Sequence, residues 1–163
     1  PVSGTCVAIA MEGRRALPVE VQALIVASNA PQPRRVVNGV DSSRVAMLLA
    51  VLERRCGLAL SAFDVYVSTV GGIRLTEPAA DLAIALAVAS ARREKALDAH
   101  LAAIGEISLA GEIRAVSGAP QRAAEAARLG YTSIVDASSL HLREAVRLAF
   151  ASAHDEKVDV PDF

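Results

Sequence analysis

Two turn signals constrain this chain more than any other feature. Glu12-Gly13-Arg14-Arg15 lies between apolar runs at residues 5–11 and 16–27, and Leu109-Ala110-Gly111-Glu112 lies between runs at 102–108 and 113–116. A short glycine-bearing break between two apolar runs of strand length predicts a β-hairpin. Elsewhere the punctuation is that of helices. Asp41-Ser42-Ser43 offers an N-cap for a helix running to Cys56, with Gly57 placed to end it. Thr76-Glu77-Pro78 opens a second helix that continues to about Lys95, its proline in the tolerated first turn. Further helices are predicted over 118–129 and 138–151, and short strands at 35–38, 64–69 and 133–135. Locally paired strands interleaved with helices predict an α/β (α+β mixed) domain, with a mixed sheet, two hairpins and about four helices. No repeat or linker interrupts the pattern, so residues 1–154 read as one domain and 155–163 as an acidic C-terminal tail.

The material available for the core narrows the options. Hydrophobic residues make up 53% of the 163 and aromatics only 3%, so the apolar mass is Ala, Val, Leu and Ile. That predicts close packing of helix on sheet. It argues against an aromatic-lined ligand pocket and against base stacking on exposed rings. Net charge is −1, but the tail alone carries Asp155, Glu156, Asp159 and Asp162 against Lys157. Fifteen of the 17 basic residues are Arg, which suits bidentate contact with carboxylate or phosphate; solvated helix faces explain such a bias equally well.

Several kinds of chemistry find no support. Cys6 and Cys56 lack metal-ligand spacing and read as free thiols in a reducing cytoplasm. His100, His141 and His154 stand on separate elements, and no metal role is expected of them. No P-loop motif is present. Gly71-Gly72 before a helix reads either as an anion site at a helix N-terminus or as a plain strand-to-helix turn. No run of 18 apolar residues occurs, so no membrane segment is expected and the chain reads as cytoplasmic. It starts at Pro1 without Met, as a domain of a longer protein would.

A resemblance carries the reading further. Gly4-Thr5-Cys6-Val7-Ala8, Met11 to Arg15 and Val19-Glu20-Val21-Gln22-Ala23-Leu24 resemble the opening of the C-terminal Lon-protease-like domain of bacterial RadA/Sms recombination proteins. Gly39-Val40-Asp41-Ser42-Ser43-Arg44, the LLAVLERR stretch at 48–55, Asp64-Val65-Tyr66-Val67, the TVGGIRLTEPAAD stretch at 69–81 and IGEISLAGEIR at 104–114 continue the match. That domain is similar in turn to the Ser-Lys proteolytic domain of Lon. The resemblance places Ala79 at the position of the serine nucleophile, Arg122 at that of the lysine, and Ile104 at that of a nearby threonine. A methyl group cannot attack a carbonyl. An arginine is not deprotonated in proteins and cannot act as the base. Ser68, Ser108 and Ser117 have no lysine near them in sequence. The resemblance thus implies a degenerate protease, with an active peptidase using another nucleophile as the alternative.

The same resemblance implies a ring-forming branch-migration ATPase in homologous recombination and DNA repair, assembled as a homo-hexamer and working with a RecA-type recombinase. ATP, Mg and Zn would be bound by an N-terminal portion, and this domain would hold no cofactor. Its own tasks would be ring scaffolding and non-specific DNA contact, or docking of another recombination protein. Candidate DNA contacts are the arginines in turns and at element ends: Arg14, Arg15, Arg34, Arg35, Arg44, Arg74 and Arg114. Arg54, Arg55, Arg92, Arg93, Arg128, Arg143 and Arg147 lie along helices, where solvation or salt bridges account for most of them.

Overall fold

The computed structural model describes residues 2–154, so the acidic tail expected at 155–163 lies outside the described residues. The first hairpin forms where its turn signal stands. Strand β1 (Thr5–Glu12) pairs antiparallel with β2 (Arg15–Ala27), from Thr5 opposite Gln22 to Glu12 opposite Arg15. Gly13 in the two-residue connection takes φ +61°, a left-handed value that suits glycine. The chain then forms β3 (Arg35–Asn38), α1 (Ser42–Cys56) and β4 (Phe63–Thr69). β3 and β4 are parallel neighbours, an arrangement that needs a crossover, and α1 supplies it. Asp41 caps α1 by accepting from the N–H groups of Ser43 and Arg44, and Gly57 ends it at φ +66°.

After β4 come a 3-10 turn at Pro78–Ala80, α2 (Asp81–Arg93), β5 (Leu101–Ala103), β6 (Glu106–Ile107), β7 (Ile113–Arg114), α3 (Ala119–Arg128), β8 (Ser133–Val135) and α4 (Leu142–His154). The six-stranded mixed sheet has the order β3-β4-β2-β1-β5-β8, and β6 and β7 form a separate antiparallel pair. Mixed α/β architecture, four helices and two hairpins are therefore all present.

Three expected elements differ in extent. The strand expected at 102–108 divides in two. β5 joins the main sheet beside β1, and the chain then turns aside at Ile104-Gly105 before β6. The cause is a backbone exchange with the turn before α2: the Gly105 N–H donates to the Ala79 carbonyl, and the Leu82 N–H donates to the Gly105 carbonyl, both at 3.1 Å. The α-helix expected from Thr76 starts at Asp81, after the 3-10 turn. Helix α4 starts at Leu142 rather than 138. The Asp136 carboxylate accepts from the Ser138 N–H at 2.9 Å and its carbonyl from the Ser139 N–H at 3.1 Å, while the Leu140 carbonyl accepts from Ile113 at 3.0 Å, which holds that stretch as a turn against the second hairpin.

Residues 81–90 of α2 are buried on every side, as befits a helix at the centre of a fold. Alanines at 83, 85, 87 and 89 let it lie close to β1 and β2, which is how a core with few aromatics reaches native density. β1 alternates between two apolar clusters: Cys6 and Ala8 face the large one with α1, α2 and α4, while Ile9 joins a smaller one that includes Ala126 of α3. On that second face the other half of the sheet is uncovered, and Leu24, Val26 and Val36 are exposed.

Candidate functional site

The positions matched to a catalytic dyad meet in one corner, closed by a side chain that the sequence did not single out. Ala79 lies in the 3-10 turn and is buried, and Arg122 on the first turns of α3 is only 2% exposed. The Arg122 guanidinium grips Glu77 with two hydrogen bonds, Nη1 to Oε1 at 2.6 Å and Nη2 to Oε2 at 3.0 Å. Nη1 also donates to the Ile9 carbonyl at 2.7 Å, and Nε to the Ser117 carbonyl at 3.0 Å. Glu77 Oε1 further accepts from the Met11 N–H at 3.1 Å. One ion pair thus ties β1, the turn before α2 and the start of α3 together. Planar fork geometry allows this; an ammonium would offer one point charge and no second parallel bond. Ile104, at the threonine position, is also buried. Among the described residues no buried side-chain nitrogen or oxygen lacks a partner.

The seven candidate arginines separate into two groups. Arg14, Arg15, Arg34, Arg74 and Arg114 are exposed, and no described carboxylate lies within ion-pair distance of them. Arg35 instead donates from Nη2 to the Leu60 carbonyl at 3.1 Å and from Nη1 to the Phe63 carbonyl, tying β3 to the turn before β4. Arg44 is half-buried and pairs with Asp81: Nε meets Oδ1 at 2.8 Å, and Nη2 bonds Oδ2. Asp81 is 1% exposed and also accepts from the Ile107 N–H at 3.1 Å. Its carboxylate holds the Arg44 pKa above the ordinary guanidinium value. The five unpaired arginines do not form one patch. Arg15 opens β2, and Arg34 precedes the strand beside the other end of β4, roughly 35 Å away at the usual strand rise.

Glu77 and Asp81 are the functional-looking residues that sequence reasoning missed. The available signal was an acid on each side of Pro78-Ala79-Ala80, with Asp81 opening a helix whose next eight residues are all apolar. Gly71 and Gly72 form a 3-10 turn at φ +76° and +68°; extended Ile73 follows and α2 begins only at Asp81, so the pair does not cradle a helix N-terminus. Among the described residues no group of three or more His, Cys, Asp or Glu is placed to hold a metal. No described helix is long and apolar enough to cross a membrane.

Sequence comparison gives this geometry a family. A family model described as subunit ChlI of Mg-chelatase matches residues 59–139. The DNA repair protein RadA of Mycolicibacterium smegmatis is 51% identical over 134 residues, 82% of this chain and 28% of that protein. RadA of Rickettsia bellii is 44% identical over 157 residues, which is 96% of this chain and 35% of that protein. This chain belongs to the RadA family. It spans about a third of the length of the curated RadA proteins it matches. The Rickettsia bellii alignment runs nearly end to end, so the closed corner and the exposed arginines both lie within RadA-like sequence.

Proposed function

We propose that this RadA-family chain is a non-proteolytic, Lon-like domain serving recombination and DNA repair as a ring scaffold and a sequence-independent DNA contact. The observation that carries the reading is the pairing of buried Arg122 with the partly exposed Glu77, two residues before Ala79. A peptidase of the Ser-Lys kind needs a hydroxyl and a neutral amine facing a substrate. Here a methyl group and a permanently charged guanidinium making four hydrogen bonds stand in those places. The corner therefore serves to hold three elements together. The names of the relatives support DNA repair as the setting. The whole protein would be a cytoplasmic, DNA-dependent ATPase acting in branch migration as a homo-hexamer with a RecA-type recombinase, with ATP, Mg and Zn held outside this chain.

DNA contact in this reading runs through Arg14, Arg15, Arg34, Arg74 and Arg114, which have no described carboxylate within ion-pair distance. With no base-reading motif beside them, these contacts go to phosphate. Fluorescence anisotropy of labelled duplexes across a salt series tests the proposal. Each of the five changed to Ala should lower the slope of log affinity against log salt by about one unit, equally for unrelated sequences. Exposed Arg54 on α1 is the control, and its change to Ala should leave the slope unaltered. Equal losses at Arg54 and at the five would reduce the effect to bulk charge. Mass photometry of the full-length protein tests the ring, for which six copies are expected.

A further inference from the structure

We infer that the groove between the ends of α1 and α2 and one face of α4 docks an acidic segment of a partner protein that carries an apolar anchor residue. The groove encloses about 830 Å³, within the range of sites that receive a small molecule or a few side chains. Arg55, Arg93, Lys95, Arg143 and Arg147 converge on it from three helix regions, against Glu144 as the one acid in its wall. None of the five cations has a described carboxylate within ion-pair distance. Five like charges around one cleft repel each other, and an anionic occupant relieves that repulsion.

The floor decides which anion. It is apolar, built from buried Val146 and Phe150 and half-buried Cys56. The Arg93 guanidinium lies 4.9 Å from the centre of the Phe150 ring, and the nearby Arg93 and Arg143 charges act on the half-buried Cys56 thiol, so cation and apolar surface meet at the same point. A phosphate backbone needs no such floor. Phe150 is only 7% exposed and covered by Arg93, so it cannot stack on a base. Carboxylates at the rim with one aliphatic or aromatic side chain on the floor satisfy both features. The site shares no residue with the five exposed arginines of the DNA reading, and does not rest on it. The sequence hid it because Arg55, Arg93, Arg143 and Arg147 look like ordinary solvated helix arginines until α1, α2 and α4 are packed.

The probe is a fluorescent ten-residue peptide with four aspartates and a C-terminal phenylalanine, titrated onto the whole chain by anisotropy. Because Asp155, Glu156, Asp159 and Asp162 of the chain share the probe's chemistry, the titration is repeated on the variant Asp155→Asn, Glu156→Gln, Asp159→Asn, Asp162→Asn. Saturable binding to both forms is expected; binding that appears only once the four acids are neutralised would make the chain's own segment the occupant and overturn the assignment to a partner. Binding should weaken at least about tenfold with Arg143→Glu plus Arg147→Glu, and at least about tenfold when the probe's phenylalanine becomes serine. Both arginines are exposed and unpaired among the described residues, so thermal unfolding should be unchanged in that variant. Arg14→Glu plus Arg15→Glu should leave peptide binding intact. Absence of binding in both forms overturns the inference, as does binding indifferent to the phenylalanine or equally weakened at Arg14 and Arg15. An oligothymidylate that binds through Arg143 and Arg147 where the peptide does not would make the groove a nucleic-acid site instead.

Discussion

At position 122 an arginine and a lysine do different physical work. The arginine spreads its charge over a fork that satisfies Glu77 twice and two carbonyls besides, and so can remain charged at 2% exposure. Glu77→Ala strands that charge and the Met11 N–H together. The expected loss is about 3 kcal/mol of unfolding free energy, read by urea denaturation. Arg122→Lys should lose less, about 1–2 kcal/mol, since one bond to Glu77 survives. Cys6 offers a second test. Burial pushes its thiol from 9.0 up to about 12, so the folded state holds the proton more tightly than the unfolded state. Stability from this group is complete below pH 9 and is lost as pH climbs from 9 toward 12, at up to about 1.4 kcal/mol per pH unit. Unfolding free energy of the parent should therefore fall more steeply above pH 9 than that of Cys6→Ala. A thiol reagent at pH 8 should reach Cys6 only after unfolding.

Among the elements, α2 carries the clearest mismatch between local preference and tertiary demand. It ends with Glu94 at φ +53°, the one described non-glycine residue with positive φ, at a position that normally favours glycine. Glu94→Gly removes that strain but loosens the unfolded chain, for a net gain of about 0.5–1 kcal/mol, measurable as a raised denaturation midpoint. The opposite sign is expected at Gly39, which follows β3 at φ +81°. A Cβ there would lie 2.2 Å from Thr69 Oγ1 and 2.9 Å from the Ile73 carbonyl, so Gly39→Ala should cost more than about 2 kcal/mol in the same assay. Helix boundaries were readable wherever a cap marked them, as Asp41 and Gly57 do for α1. They were not readable where a distant strand or turn set them. Nothing local to residues 102–108 announces that Gly105 will exchange hydrogen bonds with Ala79 and Leu82.

For the molecule as a whole, the closed corner predicts that chemistry cannot be restored by residue identity alone. The double variant Ala79→Ser, Arg122→Lys brings back a hydroxyl and an amine, yet leaves Glu77 beside the amine as a counter-charge that favours its protonated form. No turnover of casein or fluorogenic peptides is expected from it or from the parent. Turnover by the parent that disappears when one of its own serines is changed would overturn the proteolytically silent reading. The exposed arginines at opposite ends of β2 and the basic groove behind α4 would then be features of an enzyme surface rather than of a binding module.

Period and punctuation were enough to determine the mixed α/β class, the four helices and the place of the first hairpin, because caps, turns and alternation act between neighbours in sequence. Ala79, Arg122 and Ile104 were singled out only through the resemblance to a Ser-Lys domain, and the degenerate dyad they imply is part of the proposal. Which arginines are spent on structure was decided only by packing. Arg35, Arg44 and Arg122 find carbonyls and acids 25 to 113 residues away, while Arg55, Arg93, Arg143 and Arg147 are brought to one groove by three helix regions. A guanidinium reaches whatever carboxylate or carbonyl the fold sets beside it, and in a core of small side chains that neighbour is chosen by how sheet and helices close on one another.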